Sequence, residues 1–155
     1  APALLDFEEV RERHFRLTAA EAAEVHREWF PRYRHLYAPQ TVDLIERGQA
    51  VSAAQIAQDR AAREALRAEH TALMDQYGID LWISPAAQGP APHGLGNTGH
   101  PVMNIPWSQA GMPALSLPAG RNAAGLPLGL QVAGRFGADE ALLAWAAEME
   151  PILNS

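Results

Sequence analysis

Glycine and proline are unevenly spread along this chain, and that spread limits its fold more than any motif does. Residues 1–77 hold a single Gly (Gly48) and three Pro, together with 23 of the 30 charged residues. Residues 78–155 hold eleven Gly, nine Pro and seven charges. Helix interiors tolerate Ala and charge and resist Gly and Pro. The first part therefore reads as helical, and the second as short strands separated by turns. At 155 residues the chain suits one domain rather than two, and an apolar fraction of 48% argues against disorder.

Local signals refine the helical part. Thr18-Ala19-Ala20-Glu21 and Ser52-Ala53-Ala54-Gln55 both have the form of a capping box, a hydroxyl followed three residues later by an acid or amide. The first predicts a helix carrying Val25, Trp29 and Phe30, kinked or ended by Pro31. The second predicts a long helix to about Gln76. Along it Ala54, Ala57, Ala61, Ala65, Ala68 and Ala72 form a stripe suited to close packing, beside Ala62, Leu66, Leu73 and Tyr77. Asp59, Arg60, Arg63, Glu64 and Arg67 are expected on a solvated face. Glu9–Arg13 and Glu12–Arg16 pairs suggest a further helix near the N-terminus.

Beyond Gly78, Ile79–Ser84 reads as a strand stopped by Pro85. A long loop rich in Gly and Pro follows, of the kind that often carries function. Two more strands are expected at Ala114–Leu117 and Leu128–Ala133. The second alternates Leu128, Leu130 and Val132 with Gly129, Gln131 and Ala133, one apolar face and one small or polar. A last helix begins near Asp139, with Leu142, Leu143, Trp145, Ala146 and Met149 as its buried face. Helices and strands alternating in this way indicate an α/β layer.

Composition excludes several chemistries. All twelve basic residues are Arg, so no lysine-armed P-loop, Schiff base or Ser–Lys pair can form within these residues. Without Cys there is no disulfide, thiol nucleophile or Cys-based zinc site. A net charge of −6 gives no footprint for nucleic acid. No apolar run reaches membrane-span length, and residues 1–15 lack the layout of a secretory signal, so no membrane partner and a cytoplasmic location are expected. The sequence starts Ala1-Pro2 without Met, as expected after processing or in a piece of a longer protein.

Gly94-Leu95-Gly96-Asn97-Thr98-Gly99 spells the dinucleotide fingerprint. That fingerprint needs a strand before it, a helix after it and an acid about twenty residues on. Here a Pro-rich loop precedes, His100-Pro101 follows, and Ala119-Gly120-Arg121 stands where the acid belongs, so no nucleotide cofactor is expected. His14, His26, His35 and His70 read as surface residues of helices. His93 and His100 bracket the glycine loop and could approach a ligand, but a third metal ligand is not evident. The serines lack a G-x-S-x-G elbow, and Ser84 and Ser116 read as satisfied strand hydroxyls.

The most specific stretch runs from Asn104 through Gly111-Met112-Pro113, Leu117-Pro118-Ala119-Gly120 and Gly125-Leu126-Pro127-Leu128-Gly129-Leu130-Gln131 to Leu142-Leu143. It resembles the C-terminal signature of the amidase signature family. The strand at Asp80–Pro85 and the Ala-rich helix from Ser52 resemble the family's elements just upstream. Members of that family hydrolyse amides with a serine nucleophile, a second serine on a cis peptide bond and a lysine, with a Gly-Gly-Ser-Ser-Gly-type loop holding the oxyanion. This sequence has neither that loop nor a Lys. His100 stands where the family often carries an acid.

The resemblance thus implies a C-terminal fragment or subunit of an amidase. Residues 1–77, mostly helical, would pack on a partial mixed sheet and C-terminal helix formed by 78–155. No catalytic residue, cofactor or metal ligand is expected in these residues. The substrate-side candidates are His93, Thr98, His100, Asn104 and Trp107, against a turn-stabilising role for Asn104 and a core role for Trp107. The expected partners are a missing N-terminal catalytic portion, or another copy through self-association, and a small amide in the complete enzyme. The alternative is a non-catalytic amidase relative serving as an interaction or small-ligand module.

Overall fold

The structure is a computed structural model that describes residues 7–153. The described residues divide into two compact units, one ending at Ala65 and one beginning at Leu66.

The first unit is helical. It contains α1 (Phe7–Val25), α2 (Phe30–Tyr33), α3 (Pro39–Gln49) and the beginning of α4 (Ala53–Tyr77). Two sequence expectations fail here for identifiable reasons. Thr18 does not cap a helix; it lies inside α1, where its hydroxyl donates to the His14 carbonyl at 2.8 Å. A hydroxyl can bond back along a formed helix as readily as it caps a new one. Pro31 sits in the first turn of α2, the place in a helix where a missing N–H costs nothing. Ser52 behaves as expected, its hydroxyl accepting the Gln55 N–H at 3.2 Å at the start of α4.

Gly48 explains why α1 and α3 lie so close. A Cβ at Gly48 would fall 1.9 Å from the Ala19 carbonyl oxygen and 2.9 Å from the Ala23 Cβ. Across the same unit, the Arg16 guanidinium donates twice to the Asp59 carboxylate, at 2.6 and 2.8 Å. Asp59 is therefore buried, against the expectation of a solvated face, because a partner 43 residues earlier neutralises it. Gln55 adds a third donor at 3.1 Å. These bonds from Arg16, reinforced by Gln55, outweigh desolvation and hold the Asp59 carboxyl below its ordinary range. The alanine stripe of α4, expected to pack, is exposed at all six positions.

In the second unit, β1 (Trp82–Pro85), β2 (Ala114–Arg121) and β3 (Pro127–Ala133) form a sheet in the order β1-β3-β2. Both pairings are antiparallel, with Ile83 and Leu115 opposite Val132 and with Ser84 and Ser116 opposite Gln131. β2 continues past Pro118 with a bulge before Arg121, and Asn122 closes the hairpin by accepting the N–H groups of Ala124 and Leu126. A short α5 (Ile105–Ala110) ends at Gly111, whose φ of 69° is the left-handed value that glycine adopts without strain. Arg67 donates to the Ala110 carbonyl at 2.8 Å and lies 3.6 Å over the Phe136 ring. It too is removed from the solvated face foreseen for it.

The last helix, α6 (Asp139–Leu153), lays Leu142 and Ala146 on Leu117 and Val132, with Met149 and Leu153 at the margin. Each fully buried Val or Leu contributes about 1.5–3 kcal/mol. Leu143 and Trp145, assigned to the buried face from sequence, point outward at 60% and 45% exposure. The spacing 142, 146, 149, 153 takes the core instead.

Beneath the sheet, His70 of α4 is 1% exposed and packs edge-on to Trp82, with a tilted contact to Trp107. It was expected at the surface. Neither ring nitrogen has a hydrogen-bond partner, and burial pushes the imidazole below its usual range while Glu69 pulls weakly the other way. A depressed folded pKa means the unfolded chain takes up the proton first. The stability that neutral His70 contributes is thus complete above about pH 6.5 and declines as pH falls below it. Urea denaturation at pH 7.5 and pH 5.5 should show that decline, and His70→Phe should flatten it. An unchanged slope in the variant would assign it elsewhere.

Candidate functional site

The site is built on β3. Gly129 lets neighbouring chain approach its backbone, since a Cβ there would fall 2.5 Å from Ser116 Oγ and 2.9 Å from Ala86 Cβ. Ala86 N–H donates to the Gly129 carbonyl at 2.9 Å, which fixes the start of the Gly/Pro loop against the strand. The loop then encloses a groove of about 1320 Å³ with β1, β3 and the segment up to Asn104. Much of its lining is Pro, Ala, Gly and Leu, with Ser84, Gln88, Thr98, His100 and Asn104 as its polar side chains.

A chain of hydrogen bonds runs beneath this groove. Gln131, two residues on from Gly129 in β3, is 4% exposed. Its Oε1 accepts Trp107 Nε1–H at 3.0 Å and the Ser84 hydroxyl at 3.2 Å. Its Nε2 donates to Asn104 Oδ1. An indole N–H can only donate, which settles which way each amide faces. Gln131 turns its oxygen to Trp107 and its nitrogen to Asn104, so Asn104 turns its oxygen to Gln131. Asn104 stands at the N-cap of α5 yet makes no capping bond with its side chain, the usual employment of an Asn in that position.

Of the five sequence candidates, Thr98, His100 and Asn104 line the groove. His93 is exposed on the loop and outside the lining. Trp107 is 7% exposed and lies under the groove, donating to Gln131. Ser84, read from the sequence as a satisfied strand hydroxyl, donates to Gln131 as such and also lines the groove, while Gln131 was not among the sequence candidates. The available signal was the polar Gln131 between apolar neighbours in a strand opposite two serines. The glycine loop is followed by a single 3-10 turn at Pro101–Met103 where a nucleotide fingerprint requires a helix. Among the described residues no three His, Asp or Glu converge as metal ligands.

An α/β architecture with a helix-covered sheet and a loop-walled groove defines the class. The chain belongs to the amidase family, whose profile matches residues 3–143. The A subunit of the Glutamyl-tRNA(Gln) amidotransferase from Gluconobacter oxydans is 56% identical over 43 residues, 28% of this chain and 9% of that protein. Its counterpart from Beijerinckia indica is 36% identical over 84 residues, 48% of this chain and 17% of that protein. A crystal structure of an amidase superposes on 94% of this chain with a TM-score of 0.83 and 31% identity, covering 36% of the amidase chain. The sequence thus spans about a third of that amidase, and its aligned stretches are smaller shares of the two amidotransferase subunits. No helix among the described residues is long and apolar enough to cross a membrane.

Proposed function

We propose that these residues form the C-terminal part of an amidase-signature hydrolase, supplying sheet scaffold and one wall of the substrate pocket for hydrolysis of an amide C–N bond. The observation that carries this reading is the match of nearly the whole chain to about a third of an amidase. The serine, second serine and lysine that the family resemblance implies would come from outside these 155 residues, consistent with the absence of any Lys. The partner is that catalytic portion, and a cytoplasmic location goes with this reading. Surfaces that a larger fold would cover support it. β1 and β2 form the two edges of the sheet, and α6 exposes Leu143, Trp145 and Ile152. Open edges and apolar faces of this kind favour association.

Light scattering and co-purification test it. The chain expressed with the N-terminal two-thirds of the 31%-identical amidase should elute as a one-to-one complex. A clean monomer that unfolds cooperatively and ignores that partner would favour the second reading, a non-catalytic ligand or interaction module. The closed core of Leu117, Val132, Leu142 and Ala146 is the observation on that side.

A further inference from the structure

His70 of α4 is buried with no hydrogen bond at either ring nitrogen. Its ring centre lies 5.9 Å from that of Trp82 and 5.5 Å from that of Trp107, and the two indoles lie 6.3 Å from each other. Trp82 Nε1 is likewise buried and unpartnered, while Trp107 Nε1–H donates to Gln131. A buried polar group that bonds to nothing gives up its hydration with no local return. Ring packing is what holds the imidazole there, and that packing suits the neutral form. His70 is enclosed by this chain itself, so additional chain can only add cover.

The neighbouring elements offer a proton little. β1 and α5, which bring the two indoles, carry no ionisable side chain. The nearest charges along α4 are Arg67, Glu69 and Asp75, and Asp80 precedes β1. All three carboxylates are exposed, and Arg67 is engaged by Ala110 and Phe136. Glu69 favours the charged imidazole, and burial outweighs it. An imidazolium carries two N–H donors and no lone pair, beside an indole N–H that is already unbonded. The indole faces attract a cation, but both donors still require acceptors. Recruiting water or a carbonyl to them displaces the rings.

Trp107 transmits that displacement. Its bond to Gln131 Oε1 fixes which way the Gln131 amide faces, and Gln131 Nε2 in turn holds Asn104 Oδ1 at the groove. We propose that His70 is a proton-operated prop for the groove wall: neutral, it holds Trp107 on Gln131 and so fixes Asn104; protonated, it releases them while the core under α6 stays folded. The switch does not depend on what the groove binds or on the amidase reading.

Nuclear magnetic resonance on the full 155-residue chain tests it. From pH 8 to pH 5 the His70 ring, the Trp107 Nε1–H and the Asn104 side-chain NH₂ signals should shift together, with one midpoint. Trp145, on the outer face of α6, is the internal control, and its indole signal should stay in place. The Val132 and Leu142 backbone signals, from the core, should persist through that midpoint. His70→Phe should hold the Trp107 and Asn104 signals constant over the same range. Trp107→Phe keeps a ring against His70 and removes the indole donor. In that variant His70 should still titrate, and the Asn104 signals should no longer follow it. Asn104 signals unmoved as His70 titrates would overturn the proposal. So would loss of the Val132 and Leu142 signals at the same midpoint, which makes the event global unfolding, or Asn104 signals that follow pH undiminished in either variant.

Discussion

Gly48→Ala is expected to destabilise the chain by at least about 2 kcal/mol, although helix propensity alone would predict a gain. Replacing a helical glycine by alanine is worth up to about 1 kcal/mol in a helix interior. Against this stands a Cβ placed 1.9 Å from the Ala19 carbonyl oxygen and 2.4 Å from its carbon. Those are backbone atoms, so no rotamer change relieves the overlap, and α1 and α3 must move apart. Overpacking of this kind costs about 1–3 kcal/mol and occasionally more. Gly89→Ala is the matched control, since a Cβ there meets nothing within 4 Å. Its effect should stay within about 0.5 kcal/mol. Urea denaturation of both variants measures the difference, and a neutral Gly48→Ala would rule out the close crossing of α1 and α3.

Arg16→Ala should cost about 3 kcal/mol. The Asp59 side chain is 2% exposed and that of Arg16 is 33% exposed, so removing the arginine leaves a buried carboxylate with Gln55 as its remaining donor. Breaking a buried pair from one side costs about 3–5 kcal/mol, and the partial exposure of Arg16 favours the lower end. Replacing both partners by apolar residues of similar size is often close to neutral. The double variant Arg16→Met with Asp59→Leu should therefore recover most of the loss. Additive losses would mean the pair contributes through packing alone. Because the Asp59 pKa is depressed, its stabilisation is present above about pH 4 and is lost as pH falls further. That window lies below the one assigned to His70, so the two contributions separate in a single pH series.

The compositional break at residue 77 coincides with the end of α4 at Tyr77, because glycine and proline act locally on the backbone. The Ser52 cap was legible for the same reason. Three strands were legible in kind and short of their true limits in β2, where the chain stays extended through Pro118 to Arg121 on an edge strand that spares proline's missing N–H. What the sequence could not convey were partners from distant positions. Asp59 and Arg67 look like surface charges along α4 until Arg16, Ala110 and Phe136 are brought to them.

The site shows the same division. Thr98, His100 and Asn104 line one groove because the loop and its flanking residues carry them together. Gln131 was hidden by its own strand pattern. Period-two alternation assigns it to a polar face, and only the arrival of Trp107 from α5 turns that face inward. The orientation of Asn104 follows from that contact and from nothing nearer in sequence.

Amide turnover by the assembled protein tests the central claim most directly. The chain combined with an amidase N-terminal portion carrying the serine and lysine groups should hydrolyse benzamide, while neither part does so alone. A stable one-to-one complex that remains inactive on a broad panel of amides would contradict the claim.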